Sequence, residues 1–244
     1  MIDTNLIRET FSKLAPRYEE AVDFELKLFW GWSYEDFVHK YLTMTPFRND
    51  DTILEVATGT GVIPRAIHEK SIPHKKIHAL DITYAMLQQA NKKNRQEGYK
   101  NAIKLTCASA MQMPYPNNSF SLVMCGLAVH HMDARKLFSE IYRVLANDGC
   151  ISIADVGGSP LWKFPIVRFF IQIGSFLFYL IKEDMSRARA EALGAPTSIQ
   201  TSQDWCDILN DAGFENITIT KLKSKYSWIP KPLIIQAVKI NQGG

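Results

Sequence analysis

The side chains best suited to chemistry in this sequence are two adjacent histidines, His130 and His131, and an aspartate, Asp155, near the end of a later apolar run. Imidazole titrates near neutral pH, so either histidine is a candidate general base, and we rank His131 ahead of His130. Both could instead only shape a turn. Asp155 could face a substrate or cap the following helix. No set of Cys, His, Asp and Glu residues has metal-ligand spacing, so we predict no metal site.

A second group of candidates surrounds a glycine-containing turn. Segment 53–56 is apolar apart from Glu55 and leads into Gly59 and Gly61, after which residues 62–70 have helical spacing. A strand, a tight turn and a helix bring backbone N–H groups to the carboxyl edge of a sheet, where open α/β folds bind nucleotides. Glycine lets a ligand approach the backbone closely because it has no Cβ.

The residues around this turn discriminate between ligands. A nicotinamide-binding turn would continue with glycine or alanine at the position of Pro64, and the carboxylate of Glu55 would be poorly placed near a pyrophosphate. Both features favour a ligand with a positive charge and no phosphate, and S-adenosylmethionine is such a ligand. Asp81 ends the next apolar strand, where its carboxylate can accept hydrogen bonds from a ribose diol.

Several motifs in order resemble those of class I S-adenosylmethionine-dependent methyltransferases. Segment 55–61 is similar to the first motif of that superfamily, with Ala57 in place of its first glycine. The likeness continues for about a hundred residues, through segments 79–83, 108–114, 119–123, 130–133 and 144–149. It implies a doubly wound α/β fold with a seven-stranded, mostly parallel sheet and an antiparallel last strand, the Rossmann-like methyltransferase fold.

The same resemblance implies which residues surround the cofactor. Ser109 stands where related enzymes usually carry an aspartate that accepts from the adenine amino group, and a hydroxyl accepts more weakly. Segment 11–19 resembles the entry segment of quinone-biosynthesis-type methyltransferases, in which a tyrosine, here Tyr18, closes over the cofactor. Phe11 and Tyr18 could equally pack on the core, and Met111 could be core filling. The predicted cofactor-binding residues are Tyr18, Glu55, Ala57, Thr58, Gly59, Gly61, Asp81, Ile82, Met86, Ser109, Ala110, Met111 and Gly126.

Composition narrows the class of protein. The chain has 244 residues, 46% of them hydrophobic and 22% charged, which is typical of a globular protein. A formal charge of +3 is too small to predict a nucleic-acid partner. The N-terminal residues lack the apolar core of a signal peptide, and four cysteines without CxxC spacing indicate reduced thiols in a cytoplasmic protein. Three of these cysteines are predicted to lie in buried strands: Cys107, Cys125 and Cys150.

We predict one domain over residues 1–244, with a helical cap at 1–48 and a substrate-binding helical insertion at 158–200. Asp133 is the predicted cap of the helix that follows it. Beyond the first strand and helix, the predicted strands are 76–80, 102–107, 120–125, 150–156, 214–223 and 233–240, and the predicted helices are 84–97, 134–146, 182–193 and 202–212.

Segment 161–181 is unusually rich in Phe, Ile, Leu and Trp. Lys163, Pro165 and Arg168 cluster at one end, so the uncharged part is shorter than the ~20 residues of a transmembrane helix. We interpret the segment first as a hydrophobic lid over an apolar substrate. A homodimer interface or a peripheral membrane contact are the alternatives.

These features predict methyl transfer from S-adenosylmethionine to a small apolar acceptor of quinone, lipid or polyketide type. Methyl transfer needs a base only when the acceptor must lose a proton, so the sequence leaves open whether one is used and whether carbon, oxygen or nitrogen is methylated. One alternative is a protein of this fold that does not transfer methyl groups, either a cyclase or a partner-binding subunit. A nicotinamide dehydrogenase is disfavoured by Glu55 and Pro64.

Overall fold

The computed structural model describes residues 4–99, 101–158, 164–182, 187–189, 199–226 and 229–240. Within these residues, seven strands form one sheet in the order β3-β2-β1-β4-β5-β7-β6. The strands are β1 (Thr52–Val56), β2 (Lys76–Asp81), β3 (Ile103–Cys107), β4 (Phe120–Gly126), β5 (Leu145–Val156), β6 (Glu215–Lys221) and β7 (Pro232–Val238).

The sheet confirms the predicted fold class. Strands β1 to β5 run parallel to their neighbours, whereas β7 pairs antiparallel with both β5 and β6. The central strands are buried on both faces, as a parallel sheet covered by helices requires, and they therefore read as continuous apolar runs. The chain order reverses between β1 and β4, and open α/β sheets bind ligands at the carboxyl ends of the strands beside such a reversal.

Helices cover both faces of the sheet. Three precede it, within the predicted helical cap at 1–48, and the rest lie between the strands. They are α1 (Thr4–Leu14), α2 (Tyr18–Phe29), α3 (Tyr34–Met44), α4 (Val62–Glu69), α5 (Tyr84–Gln96), α6 (Ala134–Val144), α7 (Pro165–Lys182) and α8 (Ser202–Asp211). The predicted helix at 182–193 lies largely outside the described residues.

Two buried clusters hold the layers together. Phe138, Trp205 and Phe214 belong to the cluster under α6 and α8, and Phe37 and Tyr41 of α3 belong to the cluster on the opposite face. Burying an apolar side chain of this size contributes about 1.5–3 kcal/mol. These contacts fix the sheet that carries the site.

The helical cap is fastened to the sheet by buried polar contacts as well. The Tyr41 hydroxyl donates to the backbone carbonyl of Ser152 in β5 and lies 3.3 Å from the Cys125 carbonyl oxygen in β4. Trp30, at the C-terminal end of α2, donates its indole N–H to the carbonyl oxygen of Pro230 at 2.8 Å. These contacts join residues that are 111 and 200 positions apart in the sequence.

Two local predictions are wrong. Strand β5 begins at Leu145, whereas the predicted strand begins at Cys150 and the predicted helix before it extends to residue 146. The pairing of β5 with β4 shifts register between Leu145 and Cys150, and Asp148 has a φ of +59°, so these residues form an irregularity inside the strand. Cys107 is exposed, because it ends β3 at the rim of the sheet, whereas Cys125 and Cys150 are buried as predicted.

Helix α7 presents large apolar side chains to the exterior. It is long and apolar enough to cross a membrane by length and composition, which for a single helix is a weak indication. On its inner side, Tyr179 is buried and the Phe178 ring lies 5.6 Å from the Phe29 ring of α2. Its exposed apolar residues are Ile166, Phe169, Phe170, Ile173, Leu177, Leu180 and Ile181.

Candidate cofactor and acceptor site

The glycine turn after β1 adopts a backbone that most residues avoid. Ala57, Gly59 and Gly61 all have positive φ, of 55°, 55° and 76° respectively. The turn is held by two backbone bonds: Thr58 N–H donates to the Leu80 carbonyl at 3.0 Å, and Gly61 N–H donates to the Thr58 carbonyl at 2.9 Å. The left-handed φ at Ala57 gives a physical reason why glycine is usual there in the superfamily.

Asp81 anchors this turn to the end of β2. Its carboxylate accepts from Gly59 N–H at 2.8 Å and from Thr83 N–H at 2.7 Å, one bond on each oxygen. The side chain is buried, and this burial raises the pKa of the carboxyl, although hydrogen bonds from Thr83, Gly59 and Ile82 oppose the shift. Both carboxylate oxygens are acceptors, which makes Asp81 a candidate partner for a ribose hydroxyl.

Glu55 is a second buried acid beneath the turn. Only 2% of the residue is exposed, and the Thr58 hydroxyl donates to its carboxylate. Burial raises the pKa of Glu55 to about 8, and the nearby charge of Asp81 acts in the same direction. An acid held in this state favours a cationic ligand, because a positive charge would stabilise its ionised form.

Tyr18 lies over the turn from the start of α2. A Cβ placed on Gly59 would lie 3.4 Å from the Tyr18 ring. The neighbouring Glu19 fixes this position because its Oε1 accepts from Thr60 Oγ1 at 2.6 Å and from Arg65 Nη2 at 3.0 Å. Lys93 Nζ contacts the same oxygen at 2.7 Å.

The Glu19 cluster is a part of the site that the sequence did not predict. Arg65 of α4 is buried, but it lies two residues from both Ile63 and Ile67 and therefore not on their face of the helix, so hydrophobic periodicity gives no signal for it. A charged side chain on a buried face needs a partner.

The other residues predicted to surround the cofactor follow β2 and β3, and one of them, Met86, lies in the first turn of α5. Met86 and Ala110 are buried, and the Ser109 hydroxyl accepts from Met111 N–H at 3.2 Å. Ile82 follows Asp81 directly. The structure therefore brings these residues to the same edge of the sheet as the glycine turn.

His130 and Asp155 form a pair at the ends of β4 and β5. His130 Nδ1 lies 2.6 Å from Asp155 Oδ1, and the His130 N–H donates to Asp155 Oδ2 at 3.1 Å. Asp155 also accepts from Val156 N–H and is only 1% exposed. The carboxylate of Asp155 thus faces His130. This placement differs from the two predicted roles of Asp155, which were to face a substrate or to cap the following helix.

The loop between β4 and this pair is constrained. Gly126 ends β4, where a Cβ would lie 2.6 Å from Ile63 Cδ1, so a larger residue would displace α4. Leu127 has a φ of +55°, which is uncommon for a branched residue and is found mostly at functional sites. Its N–H donates to the Ala154 carbonyl at 2.7 Å, which fixes the loop against β5.

His131 faces an aromatic environment. Its ring centre lies 5.2 Å from that of Phe11 and 4.1 Å from that of His130. Burial lowers the pKa of His131 well below its ordinary value, and the charges of His130 and Arg187 lower it further. The imidazole is therefore neutral at physiological pH and a weak base.

The residues of the turn fit the predicted cofactor. Two buried acids, Glu55 and Asp81, lie at the turn, which supplies negative charge for a cation and acceptors for a diol. A Cβ on Gly61 would lie 3.2 Å from Ala90 Cβ, and the positive φ at Gly59 and Gly61 disfavours other residues. These features favour a cationic nucleoside over a pyrophosphate.

Comparisons with known proteins agree with this site. The family model described as "Methyltransferase domain" matches residues 54–153. The demethylmenaquinone methyltransferase of Symbiobacterium thermophilum is 30% identical over 172 residues, which cover 70% of this chain and 66% of that protein. The demethylmenaquinone methyltransferase of Lactobacillus johnsonii is 28% identical over 225 residues, which cover 88% of this chain and 87% of that protein.

Among solved structures, the chain is similar to geranyl diphosphate C-methyltransferase from Streptomyces coelicolor, determined with S-adenosyl-L-homocysteine. The TM-score is 0.65 at 13% identity, and the match covers 84% of this chain and 79% of that one. At this identity the likeness concerns the fold. In that structure a protein of the same fold is bound to S-adenosyl-L-homocysteine, the product formed from the cofactor.

The role of Asp81 can be tested by Asp81→Ala. We expect S-adenosylmethionine to bind about 1.5–3 kcal/mol more weakly in calorimetry, the range for hydrogen bonds to a charged group, because the diol and the turn both lose their acceptor. Asp133→Ala is the matched control, since Asp133 also accepts a backbone N–H, from Lys136, but at the start of α6. Unchanged affinity in Asp81→Ala would remove Asp81 from the cofactor site.

The raised pKa of Glu55 predicts that cofactor binding depends on pH. The ligand-free protein retains the Glu55 proton up to a pKa of about 8. A cation lowers that pKa, so binding below pH 8 releases a proton, and affinity should rise as the pH increases. We expect up to about tenfold per pH unit between about pH 6 and pH 8, and a smaller slope in Glu55→Gln. Equal slopes in both proteins would contradict this linkage.

Proposed function

This chain belongs to the class I S-adenosylmethionine-dependent methyltransferases, and on that premise we propose that it methylates a small apolar acceptor of the quinone type. The observation that best supports this proposal is the His130–Asp155 pair, which lies at the ends of β4 and β5 on the same edge of the sheet as the glycine turn. Relatives along most of the chain are named for demethylmenaquinone, which supports a quinone-like acceptor.

The cofactor binds where its charges are matched. Asp81 would hold the ribose, Glu55 would balance the positive charge, and the turn at Gly59 and Gly61 would contact the ligand through its backbone. Bound S-adenosylmethionine supplies a methyl group on a sulfonium leaving group. The task of the protein is then to orient the acceptor in line and to exclude water.

His130 is the proposed general base. Nδ1 faces the Asp155 carboxylate at 2.6 Å, so this nitrogen carries the proton and Nε2 is the nitrogen able to accept one. The carboxylate also stabilises the imidazolium that forms. His131 is a weaker base, because burial lowers its pKa well below its ordinary value. The ranking of the two histidines from sequence is therefore reversed in this proposal.

The apolar part of the acceptor is proposed to lie among aromatic side chains from the helical cap and from α7. Phe11 contacts His131, and Tyr179 is buried on the inner side of α7. An apolar surface removed from water contributes about 25 cal/mol per Å². The inner side of α7 thus acts as a wall of the acceptor site, within the insertion at 158–200 of the single domain.

The outer side of α7 is proposed to contact a lipid surface. Its exposed side chains include Ile166, Phe170 and Ile181, which are 73%, 68% and 80% exposed. A helix with one apolar side lies in a membrane interface when that side can be buried there. In that position the enzyme would take a lipid-soluble acceptor directly from the membrane. We place the protein in the cytoplasm, at its membrane boundary.

A reduced naphthoquinone tests the reaction. We expect wild-type protein to raise its mass by one methylene group per molecule of S-adenosylhomocysteine formed. His130→Ala should lower kcat by about 10²–10⁴-fold, the usual contribution of a general base, with unchanged cofactor affinity. Asp155→Asn should lower kcat less. The control is His131→Asn, in which we expect lower stability and a smaller rate loss.

Two results would contradict this proposal. Cofactor binding without any mass gain would favour a protein of this fold that does not transfer methyl groups. If His131→Asn lowers the rate more than His130→Ala does, at equal stability, then His131 and not His130 is the general base.

Two charged substitutions distinguish the proposed role of the inner side of α7 from that of its outer side. Phe170→Asp on the outer side should reduce co-sedimentation with vesicles of anionic phospholipid and leave KM for a soluble acceptor unchanged. Phe178→Asp on the inner side should raise KM instead. Tyr84→Asp is the control, because Tyr84 is an aromatic residue 64% exposed on α5. Loss of a dimer in light scattering, with vesicle binding intact, would show that α7 is a subunit interface.

A further inference from the structure

A cavity lies on one face of the sheet, toward the amino ends of β1 and β2 and beside the edge strand β3. Its volume is about 620 Å³, which is within the range of small-molecule sites. None of the described residues that line it belongs to the predicted cofactor site or to the proposed acceptor site. Lys76 begins β2 and Asp81 ends it, so the two sites are separated by about 16 Å along that strand.

Strand pairing brings polar side chains together on this face of the sheet. Side chains alternate between the two faces of a strand, so Lys76 and His78 of β2 share one face. His78 pairs with Lys104 of β3, and Lys76 pairs with Thr52 of β1, which places all four side chains on that face. The intervening Ile77 belongs to the buried cluster on the opposite face. One face of these strands is therefore apolar and the other polar.

The segment that joins β3 to β4 lies beside this polar face without forming a helix. Residues 108–119, all of which are described, form turns and irregular chain. Tyr115 in this segment contacts His78 and Phe120, at 5.7 Å and 4.9 Å between ring centres, and the His78 and Phe120 rings are 5.3 Å apart. These three rings form the aromatic floor of the cavity. A parallel sheet is ordinarily covered by helices on both faces, and here the gap leaves room for a ligand.

The charged residues that line the cavity are all lysines. Lys75, Lys76 and Lys104 are exposed at its rim, and no acidic side chain lines it among the described residues. None of the three lysines has an ion-pair partner in the described part of the chain. Like charges around one cavity repel each other, so an anion bound between them would be stabilised by all three.

His78 adds a polar atom without a partner. Its Nδ1 is buried and has no hydrogen-bond partner within the described ranges. Burial lowers the pKa of His78, and the charges of Lys104 and Lys76 lower it further, so the ring is neutral at physiological pH. A buried ring nitrogen without a partner costs free energy, and the oxygen of a ligand would supply that partner.

We propose that this cavity binds the phosphate group of a phosphate monoester, with the organic part of the ester against the aromatic floor. A phosphate monoester carries about 1.5 to 2 negative charges at pH 7 and three strong acceptor oxygens, which suits several cations and a ring nitrogen. Lysine binds phosphate as a point charge and needs no fixed planar geometry. The cavity is much larger than a phosphate ion, and the rings of Tyr115 and Phe120 supply an apolar surface for the organic part. This inference does not depend on the proposed methyl transfer.

The competing explanation is that the lysines form a solvated surface that protects the edge strand β3. Lysine side chains on an edge strand discourage pairing with another chain. The two explanations differ in what they predict for His78. A solvated surface leaves the pKa of His78 unchanged when a phosphate ester is added. A phosphate site raises that pKa, because the bound anion stabilises the imidazolium.

Phenyl phosphate is the probe, with inorganic phosphate as the anion without a ring and benzyl alcohol as the neutral ring. We expect wild-type protein saturated with S-adenosylhomocysteine to bind phenyl phosphate at least about tenfold more tightly than either counterpart in calorimetry at pH 7.5. In NMR spectra, the imidazole signals of His78 should shift on binding and its pKa should rise. The spectrum of His78→Gln identifies these signals.

Substitution of the lysines tests the source of the affinity. Lys76→Gln and Lys104→Gln should each weaken phenyl phosphate binding by about three- to tenfold, whereas Lys104→Arg keeps the charge and should retain most of the affinity. Lys92→Gln is the matched control, because Lys92 is an exposed lysine of α5 that does not line the cavity. Affinity in the wild-type protein should fall as ionic strength rises, since exposed charges are screened by salt.

Three results would overturn the inference: no saturable binding of phenyl phosphate, equal affinity in Lys104→Gln and Lys92→Gln, or inorganic phosphate binding as tightly as phenyl phosphate. Vesicles of phosphatidic acid distinguish two sources of the same phosphate chemistry. Displacement of phenyl phosphate by the vesicles would assign the site to a lipid headgroup, and its absence would assign the site to a soluble ester. None of these measurements uses methyl transfer, so a failure of the proposed function would leave them unaffected.

Discussion

The hydrogen bond from Gly59 to Asp81 is the contact on which the cofactor side depends. Parallel pairing sets Val56 of β1 beside Leu80 of β2, so the residue after Leu80 is level with the turn after Val56. Asp81 then accepts the Gly59 N–H at 2.8 Å. The turn is therefore shaped by the neighbouring strand as much as by its own residues. This support also explains how Ala57 keeps a left-handed φ, which costs about 1–2 kcal/mol for an L-residue.

The same edge of the sheet brings acids and a histidine together. Glu55 and Asp81 lie at or next to the ends of β1 and β2, and His130, paired with Asp155, follows β4. Parallel strands make this possible because all their carboxyl ends meet at one edge, and each strand contributes one side chain at a different lateral position. The order of the strands therefore sets the order of these side chains, with the two acids on the β1–β2 side and the histidine on the β4–β5 side.

The sequence predicted what depends on local pattern and failed where distant residues pair. Strands and helices follow from hydrophobic periodicity and turn residues, whereas the antiparallel end of the sheet was implied by the resemblance to a known superfamily. The pairing of His130 with Asp155 joins residues on two strands, and the Glu19 cluster joins α2 with α4 and α5. Neither pair has a periodic signature. Cys107 was assigned to the interior because it ends an apolar run, yet a strand end lies at the rim of the sheet, where solvent reaches it.

The helical cap is held to the sheet by contacts of unequal strength. Tyr41 of α3 is fully buried and its hydroxyl bonds to β5, and Trp30 fixes the C-terminal end of α2. The N-terminal end of α2 is held by Glu19, whose side chain is 29% exposed. The Arg65 side chain that pairs with it is only 10% exposed, and Thr60 and Lys93 contact the same Glu19 oxygen. Tyr18 lies at that end, over the glycine turn, so the residue proposed to close the cofactor site is held by a cluster of ion pairs rather than by a single buried hydrogen bond.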